Sequence, residues 1–355
     1  MARTTTDHRL PASRAAIEAV GLEKTYKAGR APGAPKADVR ALDGVTFAVE
    51  PGIVFGLLGP NGAGKSTTVK ILTTLSRADG GSASVAGFDV ARQPAKVRTA
   101  IGCVGQKSGL DPMATGRENL LLQGQLYGYG GRALEQSADA LLAGFGLTDA
   151  ADRVTKTYSG GMQRKLDVAL GLIHRPQVLF LDEPTTGLDP EARAEMWAEI
   201  TRLTREEGLT ILLTTHYLEE ADQLASRLAI VDHGRVVVTG TPDQLKGELH
   251  GDTVGVELAP DTPSNDLATA VRLLADVPGI SDVVHEGRTF HARAASGASA
   301  VPSVLNTLET WGFTVASVTV GRPSLDDVYL RHVGRSYAAT ASSVPSEPVL
   351  EGASS

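Results

Sequence analysis

Residues 59–67 read G-P-N-G-A-G-K-S-T and directly follow the apolar run of residues 53–58. The stretch fits the phosphate-loop pattern G-x-x-x-x-G-K-[ST] at all of its fixed positions, which are Gly59, Gly64, Lys65 and Ser66. A continuous apolar run is typical of a strand that is buried on both faces in a parallel sheet. We predict that this strand ends at the loop and that a helix continues from residue 65 to residue 75. A strand, a loop and a helix in this order are the context in which the pattern binds nucleotide phosphates.

Each residue type in the loop has a chemical reason to be there. The glycines let backbone N–H groups close around phosphates without a Cβ in the way, and the following helix adds its positive N-terminal end. Lys65 is predicted to reach the β- and γ-phosphates, and the hydroxyl of Ser66 is predicted to bind Mg²⁺. The predicted nucleotide contacts in the loop are Gly59, Pro60, Asn61, Gly62, Ala63, Gly64, Lys65, Ser66 and Thr67.

A second, acidic element follows the apolar run of residues 178–181. Asp182 is expected at the carboxyl end of this strand, where ligands collect in parallel α/β sheets. A carboxylate at that place can hold Mg²⁺ through water, as the second acidic element of phosphate-loop enzymes does. The neighbouring Glu183 adds a second carboxylate, and the alternative role for the pair is to cap a helix.

Three further motifs lie after the phosphate loop: Tyr-Ser-Gly-Gly-Met-Gln at 158–163, before the acidic element, and Gly-Leu-Asp at 187–189 and His216, after it. With these motifs, the loop and the acidic pair, the chain resembles the ATP-binding cassette (ABC) ATPases over roughly residues 15–245. The Tyr-Ser-Gly-Gly-Met variant and the segment R-P-S-L-D-D-V-Y-L at 322–330 are similar to drug-exporter cassettes of the daunorubicin-resistance type. The resemblance implies an α/β fold, namely a P-loop NTPase cassette with a helical subdomain.

The resemblance also implies roles for residues that carry no signal alone. Glu183 would polarise the attacking water, while His216 would bind the γ-phosphate and orient Glu183. Gln106 would contact Mg²⁺ and the attacking water and would report to a membrane subunit. Tyr26 would stack on the adenine. The alternative for Gln106 is an ordinary surface position, and the alternative for Tyr26 is packing near a strand end.

The serine-glycine motif implies a second copy of the chain. In the family, this element faces the γ-phosphate held by the other subunit, so that two ATP molecules lie at a two-fold interface. Tyr158 and Met162 stand where the family usually has leucine and glutamine, which bears on affinity or coupling. Asp189 would link the two sites across the interface, with a surface-turn aspartate as the alternative. The implied contacts with the partner's ATP are Ser159, Gly160, Gly161 and Asp189.

Composition narrows the class of protein and its location. The 355 residues carry a net charge of −7, which argues against a nucleic-acid partner because such proteins usually show a basic patch. No apolar run reaches the roughly 18 residues that cross a bilayer, and residues 1–20 lack the apolar core of a secretory signal. The single Cys103 cannot form an internal disulfide, which fits a reducing compartment. We expect a cytoplasmic protein, peripheral on the inner face of the cell membrane, with the spans supplied by a separate permease.

The length of the chain predicts about two domains. We predict a cassette over residues 15–249, with its helical subdomain at about 107–175. Residues 250–335 follow the order β-α-β-β-α-β of a small ferredoxin-like α+β domain, and nothing in their sequence assigns them chemistry. Residues 1–14 and 336–355 are predicted to be disordered.

The favoured function is the ATP-hydrolysing subunit of an ABC exporter of drugs or antibiotics, which works as a homodimer with ATP and Mg²⁺. One alternative is a soluble cassette that acts on ribosomes or nucleic acid. The chain carries one phosphate loop rather than two, and residues 66–158 are too few for the coiled coil of DNA-organising relatives. Export of a lipid or polysaccharide, and import, are further alternatives, because the membrane subunit selects the cargo.

Overall fold

The computed structural model describes residues 15–29, 37–263 and 266–333. The two segments that the sequence predicts to be disordered, 1–14 and 336–355, lie outside the described residues. Among the described residues, no helix combines the length and the apolar character needed to cross a lipid bilayer.

The chain forms two compact units, and the first unit ends at Thr239. Its strands are β1 (Ile17–Tyr26), β2 (Val39–Val49), β3 (Val54–Leu58), β4 (Gly80–Val85), β5 (Phe88–Asp89), β6 (Ile101–Val104), β7 (Val178–Asp182), β8 (Thr210–Thr215), β9 (Arg227–Asp232) and β10 (Arg235–Gly240). Its helices are α1 (Lys65–Leu72), α2 (Pro94–Ala100), α3 (Gly116–Leu126), α4 (Gly131–Gly144), α5 (Gly160–Leu172), α6 (Pro190–Glu207) and α7 (Leu218–Leu224). One sheet has the strand order β10-β9-β3-β8-β7-β6, and the other has the order β2-β1-β4-β5.

The larger sheet carries the predicted buried strands. All residues of β3 and β8 are buried, as are the four apolar residues of β7. Strand β3 pairs in parallel with β8 and β9, and β7 pairs in parallel with β6 and β8. In this register Leu58 is opposite Thr215, and Asp182 is opposite Thr214. The carboxyl ends of three central strands therefore meet at one edge of the sheet, where ligands collect in such folds.

Helix α1 follows the loop after β3, as predicted, but it ends at Leu72 rather than at residue 75. Thr74 has a φ of 65°, in the left-handed region that a continuing helix cannot contain. The backbone N–H groups of Leu75 and Ser76 both donate to Lys70, which closes the last turn. The apolar pattern that predicted a longer helix includes Leu75, which is in fact exposed.

Three helices, α3 to α5, occupy the range in which the sequence predicts a helical subdomain. Thr115 and Glu118 form a capping box at the start of α3, which satisfies two N–H groups at that end. The predicted break at residues 128–131 falls where α3 has ended and α4 begins with Gly131, and Gly128 has a φ of 83°. Leu120, Leu134 and other apolar side chains of these helices join one buried core with β7 and β8.

The second unit begins at Gly240. It contains helices α8 (Pro242–Gly247), α9 (Leu267–Ala275), α10 (Gly297–Thr310) and α11 (Leu325–Val333), and strands β11 (Asp252–Leu258), β12 (Ile280–Glu286), β13 (Thr289–Ala294) and β14 (Val315–Gly321). The strands form an antiparallel sheet in the order β12-β13-β11-β14. The chain order and this sheet order are those of the ferredoxin-like fold, so the predicted arrangement is confirmed.

The division between the units falls before Gly240 rather than after Leu249. Helix α8 packs against α11, which lies at the far end of the second unit's sequence. After α8, the guanidinium of Arg331 donates to the carbonyl of Glu248 at 3.4 Å. These contacts join residues 240–249 to the second unit, although the sequence pattern there continues from the cassette.

Candidate nucleotide-binding site

In the loop between β3 and α1, the side chain of Lys65 is buried against the backbone of the loop. The side chain of Lys65 is only 4% exposed, and its ammonium group donates to the carbonyls of Gly59 at 2.6 Å and Pro60 at 3.0 Å. Gly64 has a φ of 105°, and a Cβ there would lie 2.6 Å from the carbonyl oxygen of Ala41. Only glycine fits that position, because both the backbone angle and the space exclude a side chain. The loop thus has the closed shape that cradles phosphates.

Ser66 and Asp182 come together at the edge of the sheet, as predicted. The hydroxyl of Ser66 lies 3.5 Å from Oδ1 of Asp182, and the hydroxyl of Thr214 donates to the same oxygen at 2.5 Å. Burial raises the pKa of Asp182 above its ordinary value, and the charge of Glu183 adds to that effect against the bonds from Thr214 and Ser66. A hydroxyl and a carboxylate are hard oxygen ligands of the kind that Mg²⁺ prefers, so these residues fit that ion.

Glu183 and His216 also meet at this edge. The Nδ1 atom of His216 lies 3.1 Å from Oε1 of Glu183, which is an ion-pair distance, although the approach is not aligned as a hydrogen bond. The hydroxyl of Thr186 donates to the other carboxylate oxygen at 3.3 Å. Burial alone would raise the pKa of Glu183, but His216 and the charge of Lys65 outweigh it, so the pKa is lowered. This carboxylate is therefore held ionised beside an imidazole.

The backbone of Glu183 is in an unusual conformation. Its φ is 49°, in the left-handed region that residues with a side chain rarely adopt. Its N–H group donates to the carbonyl of Thr214 at 3.1 Å and lies at the same distance from the hydroxyl of Thr214. Backbone strain of this kind costs about 1–3 kcal/mol and concentrates at functional sites.

Tyr26 lies beside the phosphate loop at the end of β1. Its hydroxyl is 3.5 Å from the hydroxyl of Thr67, and its ring is partly exposed. The ammonium group of Lys24 lies 5.8 Å from the centre of the ring. The ring is therefore only partly covered beside the loop, and its stacking on adenine stays a prediction.

The serine-glycine motif stands at the start of α5. Ser159 is the N-cap of this helix, with its hydroxyl accepting from the N–H of Met162 at 3.3 Å, and both Ser159 and Gly160 are exposed. Gly161 packs closely on α6, since a Cβ there would lie 2.9 Å from that of Ala192. The motif therefore presents a helix N-terminus to solvent.

Tyr158, which replaces the usual leucine of the family, is buried next to the motif. Its ring is 6% exposed, and its hydroxyl donates to the carbonyl of Ala150 at 2.6 Å. The tyrosine thus satisfies its polar group inside the helical region. This departure lies on the inner side of the motif, away from the exposed Ser159.

Asp189 and Gln106 are both exposed. Asp189 is the N-cap of α6, and its carboxylate accepts from the N–H of Ala192 at 2.9 Å. Gln106 follows β6, and within the part of the chain that the structure describes, no hydrogen bond joins it to Asp182 or Glu183. The structure therefore brings together the loop, the acidic pair and His216, but not Gln106.

Sequence reasoning missed Thr214, whose hydroxyl binds Asp182 and whose backbone carbonyl binds Glu183. It also missed Asp167, a buried residue of α5 that accepts from Ser108 at 3.1 Å and from the N–H of Gly109 at 3.0 Å. The only local signal for Thr214 is its place two residues before a histidine at a strand end.

A third missed residue is Glu220 of α7. It is fully buried, and its Oε1 accepts from the hydroxyl of Thr185 at 2.7 Å and from the indole of Trp197 at 3.2 Å. Buried carboxylates are uncommon unless they are bonded in this way. Glu220 therefore links α7 to Thr185, which lies two residues after Glu183.

The strand–loop–helix geometry, with an acidic residue at the neighbouring strand end, defines a P-loop nucleotide-triphosphate-binding protein. A family model described as "ABC transporter" matches residues 42–186. A second model, described as "ATP-binding protein DrrA1-3-like, C-terminal domain", matches residues 240–333, which begin where the second unit begins.

Known proteins resemble the chain along nearly its whole length. The daunorubicin resistance ATP-binding protein DrrA2 of Streptomyces coeruleorubidus is 47% identical over 90% of this chain and 95% of its own length. The daunorubicin/doxorubicin resistance ATP-binding protein DrrA of Streptomyces peucetius is 44% identical over 90% of this chain and 92% of its own length. A dimeric ATP-binding cassette solved in a post-hydrolysis state with ADP and phosphate is 25% identical, with a TM-score of 0.56 over 63% of this chain and 98% of that one.

The chain belongs to the ATP-binding proteins of the ABC transporter family, of the daunorubicin-resistance type. It is an ATPase whose hydrolysis is coupled to transport. The predicted family and fold class are confirmed.

Proposed function

We propose that the chain binds ATP at the loop between β3 and α1 and hydrolyses it with Glu183 and His216. The nine loop residues 59–67 would enclose the phosphates, with Lys65 turning from its loop carbonyls to the β- and γ-phosphates. The partly exposed ring of Tyr26 would stack on the adenine. The observation that supports this most strongly is the meeting of Glu183 and His216 at the same sheet edge as Lys65 and Asp182.

Glu183 would orient the attacking water and accept a proton from it. Its carboxylate is ionised because His216 and Lys65 lower its pKa against the effect of burial. His216, at hydrogen-bonding range of that carboxylate, would hold its orientation and bind the γ-phosphate. A positioned general base of this kind contributes about 10²–10⁴-fold to a rate.

Ser66 would bind Mg²⁺ directly, and Asp182 would bind it through water. When bound, Mg²⁺ neutralises charge on the β- and γ-phosphate oxygens. Gln106 would join this group only after its loop moves toward the acidic pair, because its side chain is exposed and makes no hydrogen bond to Asp182 or Glu183 among the described residues.

Ser159, Gly160, Gly161 and Asp189 would contact the ATP held by a second copy of the chain. The exposed N-terminus of α5 supports this, because its free N–H groups and its dipole favour a phosphate. The relative solved with ADP and phosphate is itself dimeric. A homodimer with two ATP molecules at its interface is the assembly we propose.

The homodimer would drive a separate membrane permease from the inner face of the cell membrane. The relatives named for daunorubicin and doxorubicin resistance support export of a drug or antibiotic. The family match favours transport over an action on ribosomes or nucleic acid. Expression of the chain with and without its permease, followed by measurement of cell-associated anthracycline, tests the export proposal. Less cell-associated drug only when both chains are present supports it. The same decrease without the permease contradicts it.

The catalytic assignment is tested with the purified chain. Glu183→Gln should retain binding of Mg²⁺-ATP and lose turnover, because the amide cannot accept the proton. The matched control is Glu219→Gln, an exposed glutamate of α7 that should keep the wild-type rate. Wild-type turnover in Glu183→Gln, or an equal loss in both variants, would reject the role of Glu183.

A further inference from the structure

Arg164 of α5 is a buried arginine that the proposed chemistry does not use. The residue is 8% exposed, and no described carboxylate lies within ion-pair distance of its guanidinium. Burial lowers its pKa, while the charges of Asp167, Asp182 and other nearby acids oppose that effect. Burying a cation without a direct counter-ion is costly unless its donors are satisfied. The donors of Arg164 are satisfied in an unusual way.

The guanidinium donates to four backbone carbonyls from two separate loops. Its Nε atom donates to Pro184 at 2.8 Å, and its Nη2 atom donates to Asp182 at 3.1 Å and to Glu183 at 3.3 Å. Its Nη1 atom donates to Gly105 at 2.6 Å. Arginine has five N–H donors in a rigid planar fork, so a single side chain can hold carbonyls on both sides.

Three of these carbonyls belong to the strained segment around the acidic pair. Glu183 keeps a φ of 49° only because its surroundings hold it there, since the conformation is unfavourable by itself. The N–H of Glu183 is bonded to Thr214 on one side, and its carbonyl is bonded to Arg164 on the other. The backbone angle at this residue sets the direction of its carboxylate, which faces His216.

The fourth carbonyl belongs to the residue before Gln106. The same helix holds the following part of this loop, because Asp167 accepts from Ser108 and from the N–H of Gly109. Helix α5 also carries the exposed Ser159 at its N-terminus. A single rigid helix therefore contacts the acidic pair and the Gln106 loop, and also begins with the motif proposed to face the partner's ATP.

We propose that Arg164 is a positioning residue for hydrolysis: it fixes the backbone of residues 182–184 so that the carboxylate of Glu183 faces His216, and it ties that geometry to α5. This role rests on the proposed function of Glu183. Arg164 does not touch the nucleotide. It couples the water-activating end of one ATP site to the helix whose first turn faces the other site.

The test compares Arg164→Lys and Arg164→Met in the purified full-length chain. Lysine keeps the charge but cannot span four carbonyls, and methionine keeps the approximate length without any donor. We expect Mg²⁺-ATP affinity within about threefold of the wild type, because the phosphate loop is untouched. We expect kcat to fall about tenfold for Arg164→Lys and about 100-fold for Arg164→Met, since a small misplacement of a reacting group has effects of this size. KM should stay nearly constant.

A double variant separates positioning from loss of structure. In the Glu183→Gln background, Arg164→Lys should lower the residual rate no further, because the two changes act through one group.

Arg202 of α6 is the matched control. It also makes several hydrogen bonds, but its partners are the carboxylates of Glu199 and Glu207, away from the acidic pair. Arg202→Met should leave kcat and KM unchanged. Arg164 variants that fold and turn over like the wild type, or that lose ATP binding and turnover together, overturn the proposal. Normal turnover in Glu183→Gln would instead reject the catalytic role of Glu183, on which the proposal depends.

Discussion

The phosphate loop and the start of α5 hold their functional groups in opposite ways. At the loop, Lys65 is 4% exposed and bonded to its own loop, and Asp182 and Glu183 are partly buried and bonded to neighbours within the chain. At the start of α5, Ser159 and Gly160 are exposed, and the hydroxyl of Ser159 only caps its own helix. Both regions are glycine-rich turns that lead into a helix, yet only one of them is complete within the chain.

This difference indicates how nucleotide binding and hydrolysis are divided between the two regions. The buried region holds a cation, a hydroxyl and two carboxylates at one sheet edge, which is sufficient to bind a nucleotide and activate water. The exposed region offers only a helix N-terminus, which favours an anion but cannot perform the chemistry. We infer that the second region acts on the nucleotide of another copy. The predictions that follow separate the two regions.

The largest effect is expected at the buried carboxylate. Glu183→Gln should lower kcat by about 1,000-fold, within the range for loss of a general base, while Mg²⁺-ATP binding stays close to the wild type. Steady-state phosphate release and equilibrium binding of a fluorescent ATP analogue measure the two quantities. A parallel fall in both would mean that Glu183 serves the structure of the site rather than hydrolysis.

The next effect is expected at the buried cation. Lys65→Ala should weaken ATP binding about 30-fold or more, because truncating one partner of a buried charge pair costs 2 kcal/mol or more. Isothermal titration calorimetry measures this directly. Lys70→Ala in the same helix, where the side chain is exposed, is the matched control and should bind ATP normally. Equal affinities in the two variants would contradict the assignment of Lys65.

A pH effect is expected at Asp182. Burial raises the pKa of its carboxyl, and a protonated carboxyl is a poor ligand for Mg²⁺, even through water. As the pH is lowered, Mg²⁺-dependent ATP binding should therefore begin to weaken at a higher pH than it would with an aspartate of ordinary pKa. Below the pKa of Asp182, the affinity should fall by up to tenfold per pH unit. Asp182→Asn should remove this dependence. The part of the pH dependence that comes from protonation of ATP itself should be the same in both proteins. Identical pH profiles for the two proteins would argue against Asp182.

The smallest effect is expected for a conservative change in the exposed region. Ser159→Ala removes the N-cap of α5, so the free energy of unfolding should fall by about 1 kcal/mol. ATP binding by the isolated chain should not change, because Ser159 does not contact the chain's own loop. Chemical denaturation and ATP titration measure the two values. Weaker ATP binding by a monomeric Ser159→Ala protein would mean that the two regions are not separate.

The sequence predicts the buried region well, because its signals are local. The glycine-rich loop after an apolar strand is such a signal, since its residues are continuous in the sequence. His216 was implied only by the family resemblance, and the pairing of Leu58 with Thr215 brings it to the same edge. The ferredoxin-like order of the second unit is also predicted, since alternation and helical periodicity are read within short segments.

What the sequence did not predict depends on contacts between distant segments. Nothing near Arg164 indicates that its guanidinium binds carbonyls 20 and 59 residues away in the chain. The predicted boundary after Leu249 differs from the observed one before Gly240 for the same reason, because α8 joins the second unit through its packing on α11. Side chains that bond to backbone carbonyls leave no trace in composition or periodicity.

The division of each ATP site between two copies is tested most directly by the size of the complex in solution. Glu183→Gln with ATP and Mg²⁺ should elute as a dimer by size-exclusion chromatography with light scattering, because slow hydrolysis keeps ATP at the interface. Ser159→Arg in the same background should remain monomeric while binding ATP with unchanged affinity, since the large side chain blocks only the partner's phosphate. A Glu183→Gln protein that stays monomeric with saturating ATP, or a dimer that Ser159→Arg leaves intact, would contradict the account.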